Sequence, residues 1–280
     1  MSQTSFQNIF EKSVKTGVSG AGAMTIQVTS LMWLRTTMNY QYKFGGQMIP
    51  TIQNLYKEGG ILRFYRGYVP ALMVAPIARF GDCFSNQLAL NYFSGTDLPL
   101  AIQTGSASVM AGGWRILTLP IDAWKTSLQV HGNKGIQVLR DKIAKEGVKG
   151  LYNGAIASST ATMMGHFPFF LTYNYCDEYI PKIKYKDDPL KALSRNAFIG
   201  FCATFASDTV SNSMRVIKTY KQTHHENIKY SEIVKDILQK EGVNGLLFRG
   251  LKTKLFTNGL QGVVFSIFYK YFGEKFSQKS

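Results

Sequence analysis

A proline, an aspartate and a lysine stand close together in "LTLPIDAWKTSLQVHG" (117–132), inside a stretch that is otherwise fit for an apolar helix. Pro120 removes a backbone donor and kinks any helix that contains it. Asp122 and Lys125, three residues apart, fall on nearly one helical face and can pair. The chemistry open to such a set is electrostatic, because opposite charges attract far more strongly in an apolar setting than in water. Two other stretches repeat the basic position. "SLMWLRTTMN" (30–39) has Arg35 and "SMRVIKTYKQ" (213–222) has Lys218, each followed by threonine as Lys125 is. Arg35, Lys125 and Lys218 are spaced 90 and 93 residues apart. In the first stretch the proline and acid positions hold Ser30 and Met32, and in the third Ser213 and Arg215. One acid, Asp122, therefore faces Arg35, Lys125, Arg215 and Lys218.

Other chemistry has no support in the residues. No nucleophile–base–acid set, phosphate loop or dinucleotide-binding glycine motif is present, so no catalytic residue is assigned and an enzyme is not expected. His224 and His225 are adjacent, point in different directions on a helix and have no further ligands spaced to complete a metal site. Cys83, Cys176 and Cys202 are scattered and odd in number, which argues against a disulfide framework and reads as three small buried apolar residues. No cofactor is expected. The chain carries 32 basic and 17 acidic residues, a net charge of +15. That charge suits a phosphate-rich partner. With 45% hydrophobic and 13% aromatic residues and no dense basic cluster, the partner is read as anionic lipid and not nucleic acid.

The elements that must carry these charges are apolar helices. Six spans are expected at about 14–39, 68–94, 99–130, 155–180, 190–222 and 251–275. Single charges such as Arg79, Asp82, Arg115, Asp208 and Lys252 interrupt them, and the mean hydropathy is −0.07. Helices facing lipid on one side and a water-filled cavity on the other would show this pattern. Between odd and even spans come three related stretches: "LYKEGGILRFYRG" (55–67), "IAKEGVKGLYNG" (143–154) and "LQKEGVNGLLFRG" (238–250). Each reads Lys-Glu-Gly, a short variable run, an aromatic residue, Arg or Asn, and Gly. Short amphipathic segments precede them near 48–58, 136–146 and 229–241. The expected organisation is one integral membrane domain of three repeats, 1–97, 98–188 and 189–280, whose polar stripes turn inward around a common axis. Glycines such as Gly17, Gly20, Gly22, Gly105, Gly112 and Gly113 would let helices approach closely. No cleavable targeting segment is read at the start, so an organellar address would be internal.

On these residues the chain resembles the mitochondrial carrier family along essentially its whole length. The family's odd helices carry Pro-x-Asp/Glu-x-x-Lys/Arg, and downstream Asp/Glu-Gly, four residues, aromatic, Lys/Arg and Gly. Pro120, Asp122 and Lys125 match the first pattern; Glu146, Gly147, Tyr152 and Gly154 match the second except at Asn153. The resemblance implies an all-α membrane protein of six transmembrane helices in three pseudo-threefold repeats, with three short matrix-side amphipathic helices. It also implies the mitochondrial inner membrane, with both termini toward the intermembrane space. Acid–base pairs between odd helices would close the cavity from the matrix, and a second ring on the even helices would close the opposite side.

The departures from that pattern direct the functional expectation. One carboxylate cannot neutralise four cations, so a closed matrix gate of the usual kind is not expected. On the even helices Ser85-Asn86, Tyr173-Asn174 and Phe268-Tyr269 stand where the family has acids. The three usual substrate-contact positions fall at Met73, Ala161-Thr162 and Thr257, none of them charged; Arg79 and His166 lie nearby as cavity polar candidates. The plainer reading pairs Arg79 with Asp82 and keeps His166 hydrogen-bonded within the bundle. Helix starts at Arg66-Gly67, Asn153-Gly154 and Arg249-Gly250 are expected to bind cardiolipin phosphate through backbone donors. Residues 131–149, with five basic and two acidic residues, fit the matrix side. The favoured expectation is a non-transporting or weakly transporting, lipid-binding structural subunit of a larger inner-membrane assembly such as a respiratory complex. The alternative is a solute carrier moving a small metabolite by alternating access.

Overall fold

The computed structural model describes residues 27–93, 100–181 and 188–261. Helix α1 covers 27–44 and is followed by the surface helix α2 (Met48–Phe64) and by α3 (Tyr68–Phe93). The second repeat contributes α4 (Leu100–Leu117), α5 (Leu119–His131), α6 (Gly135–Glu146) and α7 (Ala155–Tyr179). The third contributes α8 (Pro189–Thr223), α9 (Tyr230–Phe248) and α10 (251–261). Among the described residues every regular element is helical.

Proline decides where an odd helix breaks. The second repeat's odd helix is split at Thr118, and Pro120 sits in the first turn of α5, where its missing donor costs nothing. At the equivalent places Ser30 and Met32 leave α1 continuous, and Ser213 and Arg215 leave α8 continuous for 35 residues. Glycine decides where a surface helix ends. Gly242 (φ +66°) breaks α9 and Gly60 (φ +61°) breaks α2, both within the Lys-Glu-Gly stretches, and Gly147 (φ +67°) ends α6.

The helices form a closed circuit. Val28 and Met32 of α1 pack on Ala71 and Ala75 of α3. Trp114 of α4 donates its indole N–H to the Ile77 carbonyl of α3 at 2.9 Å. Ser159 of α7 donates to the Gly112 carbonyl of α4 at 2.6 Å. Gly165 lets α7 approach α8, where an added Cβ would lie 2.9 Å from the Ser207 hydroxyl. Thr253 of α10 donates to Gln41 of α1 at 2.6 Å and closes the circuit. Gly112 serves close approach as expected, whereas an added Cβ at Gly105 or Gly113 would meet nothing within 4 Å. Gly17, Gly20 and Gly22 lie outside the described residues.

The outer surface is apolar: Phe198, Phe201 and Phe205 follow one stripe of α8 and are all exposed. Even so, among the described residues no helix is long and apolar enough to cross a membrane by hydropathy alone. Length is not what falls short, since α7 has 25 residues and α8 has 35, against about 20 for a span. The cavity-facing polar stripes lower the mean.

Three glycines hold the repeats together in rotation. Gly67, Gly154 and Gly250 have φ of +83°, +92° and +66°, which only glycine adopts readily. Each also presses its backbone on the next odd helix. An added Cβ at Gly67 would lie 2.9 Å from the Lys125 carbonyl, at Gly154 3.2 Å from the Lys218 carbonyl, and at Gly250 3.3 Å from the Met38 carbonyl.

A second set of contacts runs the same way around the axis. Arg63 donates to the carbonyls of Gln129 and Val130 at 2.9 and 3.0 Å, at the end of α5. Lys142 donates to those of Lys221 and Gln222 at 3.0 and 2.7 Å, at the end of α8. Arg249 donates to that of Lys43 at 3.3 Å, at the end of α1. Cations there satisfy carbonyls that lack helical partners and face the negative end of the helix dipole. All three side chains are buried.

Candidate functional site

Inside the circuit lies a cavity of about 560 Å³. Arg35, Lys125 and Lys218 all line it, together with Asp122 and Arg215, so the threefold basic positions point inward and not at hydrocarbon. Asp122 is buried because Pro120 and the break at Thr118 turn the start of α5 toward the axis. Its carboxylate accepts from Lys125 on its own helix and from Lys218 of α8, the latter at 2.6 Å. Gln222 adds an amide contact at 3.4 Å.

The expected competition of four cations for one acid does not occur. Arg215 turns toward Asp208, 3.6 Å away on the same helix, and accepts support from Ser211 by donating to its hydroxyl at 3.2 Å. Met32, at the vacant acid position, is fully buried against α3 and takes a Gln129 amide contact on its sulfur at 3.6 Å. The odd helices still meet at their C-terminal ends, by different chemistry at each junction. Between α5 and α8 it is the Asp122 cluster. Between α1 and α5, Asn39 donates to Gln129 at 2.5 Å. Between α8 and α1, the Lys43 ammonium lies 3.5 Å from the Tyr220 ring centre and 3.5 Å from its carbonyl oxygen. The odd helices are thus joined without three acid–base pairs, in keeping with the expectation that a gate of the usual kind does not form.

The other singled-out positions divide. Ala161, Thr162 and His166 of α7 line the cavity; Met73 and Thr257 do not. Met73 is exposed, and Thr257 is buried with its hydroxyl turned back to the Thr253 carbonyl at 2.6 Å. His166 stands edge-on to Phe170, with ring centres 5.9 Å apart. The side chain of Arg79 lies outside the described residues, and Asp82 pairs with Arg115 of α4 at 2.6 Å. On the even helices Ser85 is buried and Tyr173 stacks on Phe169. The side chains of Asn86 and Asn174, and Phe268 and Tyr269 entirely, lie outside the described residues.

At the helix starts, Arg249 is engaged bidentately by Glu241 at 3.0 Å and Asn153 by Glu146 at 3.0 Å. Neither side chain is free to reach outward, while Arg66 is half-buried beside Gly132. Cys176 and Cys202 are free thiols and half-buried, not fully buried as expected; the Cys83 side chain lies outside the described residues.

Arg115 interrupts an apolar span in the sequence, but nothing in its spacing shows that it shares a cavity with Lys254. Lys252 is the cation that stands out in the last span. It is exposed, and Lys254, two residues on and hence on a different helix face, lines the cavity.

Comparison with known proteins agrees with this architecture. A family model described as "Mitochondrial carrier protein" matches residues 7–96, 99–184 and 191–280. The mitochondrial thiamine pyrophosphate carrier 1 of Saccharomyces cerevisiae is 25% identical over 249 residues, covering 79% of this chain and 78% of that protein. The chloroplastic nicotinamide adenine dinucleotide transporter 1 of Arabidopsis thaliana is 27% identical, covering 75% and 72%. The mitochondrial glycine transporter of Xenopus tropicalis is 27% identical, covering 82% and 78%. These relatives are transporters and not enzymes. They overturn the favoured expectation of a structural subunit of a respiratory assembly. The inference from missing gate acids failed because one acid serves two lysines and amide and cation–π contacts close the remaining junctions.

Proposed function

The chain belongs to the mitochondrial carrier family, and on that premise we propose that it moves a small solute across an organellar membrane by alternating access. The observation that carries the reading is the joint presence of a 560 Å³ cavity on the repeat axis and an inter-repeat ion pair, Lys218 to Asp122, at the end where the odd helices meet. A cavity with space for a metabolite, held shut at one end by contacts that can be exchanged, is what a carrier requires and what a scaffold does not. The site of action is the inner mitochondrial membrane, with both termini toward the intermembrane space. Cardiolipin phosphate is taken to bind at the helix starts after Gly67, Gly154 and Gly250, because the free backbone donors of a helix N-terminus suit a phosphate.

The test is counter-exchange. Purified full-length protein in cardiolipin-containing liposomes, loaded with a mixture of unlabelled metabolites, is expected to take up a labelled one only when an exchangeable solute is inside. Uptake at the rate of protein-free liposomes across anionic, zwitterionic and neutral labels would overturn the reading.

A further inference from the structure

We infer that the cavity binds a compact organic phosphate with two or three negative charges, its phosphate seated among Arg115, Arg215 and Lys254 and a flat ring beside Phe169 and His166. The inference deepens the carrier reading and rests on it.

Charge is the first argument. Among the described residues six cations line the cavity: Arg35, Arg115, Lys125, Arg215, Lys218 and Lys254. They meet three carboxylates, namely Asp82 and Asp122 in the lining and Asp208 against Arg215. The surplus is three positive charges. Lys125 and Lys218 share Asp122 and are thereby placed in the closure. Arg115 uses one terminal nitrogen on Asp82, and its buried Nε has no hydrogen-bond partner. Arg215 holds Asp208 only at 3.6 Å, and that carboxylate is also engaged by Asn258. With three more cations than carboxylates sharing one cavity, the excess positive charge repels itself and favours a polyanion.

Group geometry is the second argument. Guanidinium groups from α4 and α8 and an ammonium from α10 approach the cavity from three sides. A tetrahedral phosphate accepts from several directions at once, and arginine forks suit its oxygens. The third argument is the wall opposite in chemistry: His166, Phe169 and Phe170 of α7 line the same cavity. Phe169 is already stacked on Tyr173, with centres 6.2 Å apart and planes 18° apart, so its ring is oriented before any solute arrives. The anion subsite thus lies on residues other than Met73, Ala161, Thr162 and Thr257.

The test reads binding apart from transport. Thermal unfolding of the purified full chain in detergent is measured with pyrophosphate, a nucleoside diphosphate, the parent uncharged nucleoside, citrate and glycine. Stabilisation is expected from pyrophosphate, and at lower concentration from the nucleoside diphosphate, with none from the nucleoside or glycine. Arg115→Gln and Lys254→Gln should each weaken the diphosphate at least tenfold. The wild-type affinity should also fall as salt rises, a readout that needs no variant. Stabilisation by glycine or by citrate alone, or a diphosphate affinity unmoved by both substitutions and by salt, would overturn the inference. Binding of the diphosphate without exchange in liposomes would instead sink the carrier reading, and exchange of a neutral solute would sink the substrate class while leaving the carrier.

Discussion

Lys218 of the third repeat places its ammonium 2.6 Å from the carboxylate of Asp122 in the second, and Lys125 holds the same carboxylate from within its own helix. A single acid thereby ties two repeats. Replacing Asp122 with Ala leaves both lysines facing each other across a largely buried space. Removing one partner of such a cluster costs about 3–5 kcal/mol. The expected outcome is a clearly lower unfolding midpoint and at least a tenfold loss of exchange in liposomes; a midpoint equal to wild type would show that the junction carries no load.

Met32 stands at the place in the first repeat that Asp122 holds in the second, yet it is fully buried on Ala71 and Ala75. Met32→Asp therefore places a carboxylate in an apolar niche. We expect a destabilisation of at least ~2 kcal/mol and no gain in exchange, whereas Met32→Leu should cost under about 1.5 kcal/mol. Parallel unfolding curves and exchange rates decide it.

Gly67 combines a positive φ with a Cβ site 2.9 Å from the Lys125 carbonyl, so Gly67→Ala must strain the backbone and push α5 away. Gly113, within α4, has open space at its Cβ site. The first substitution should lower stability by at least ~2 kcal/mol. The second should raise it by about 0.5–1 kcal/mol through helix propensity. Opposite signs in one denaturation assay are the result to look for.

Burial pushes the Lys142 ammonium down from 10.5 to about 8; Glu146 opposes this and Lys221 adds to it. Between those two values the unfolded chain binds the extra proton, so stability should rise as pH climbs from about 8 toward 10.5, by up to about 3 kcal/mol. Below pH 8 the penalty is present in full. Lys142→Arg stays charged and should lose the rise, while keeping a donor for the end of α8. The unfolding midpoint as a function of pH, compared between the two proteins, checks the sign.

Much of the fold could be read from residue spacing because the repeat supplied it three times. Glu58-Gly59, Glu146-Gly147 and Glu241-Gly242 mark where the surface helices break or end, and left-handed glycine is the physical cause at Gly147 and Gly242. Pro120 marked the break in the second odd helix. What the spacing could not convey was which surrogate closes a junction once its acid is gone. Asn39 and Gln129 are ninety residues apart and unremarkable as types, and Arg63 and Lys142 replace one another's role from different places in their repeats. Cavity membership was equally hidden: Lys254 differs from Lys252 only in the face it occupies.

The break at Thr118 is confined to one repeat. At this level the described parts of the other two odd elements are continuous helix and the middle one is jointed. In the proposed cycle bending is therefore expected to concentrate at a single elbow and the three repeats to move unequally.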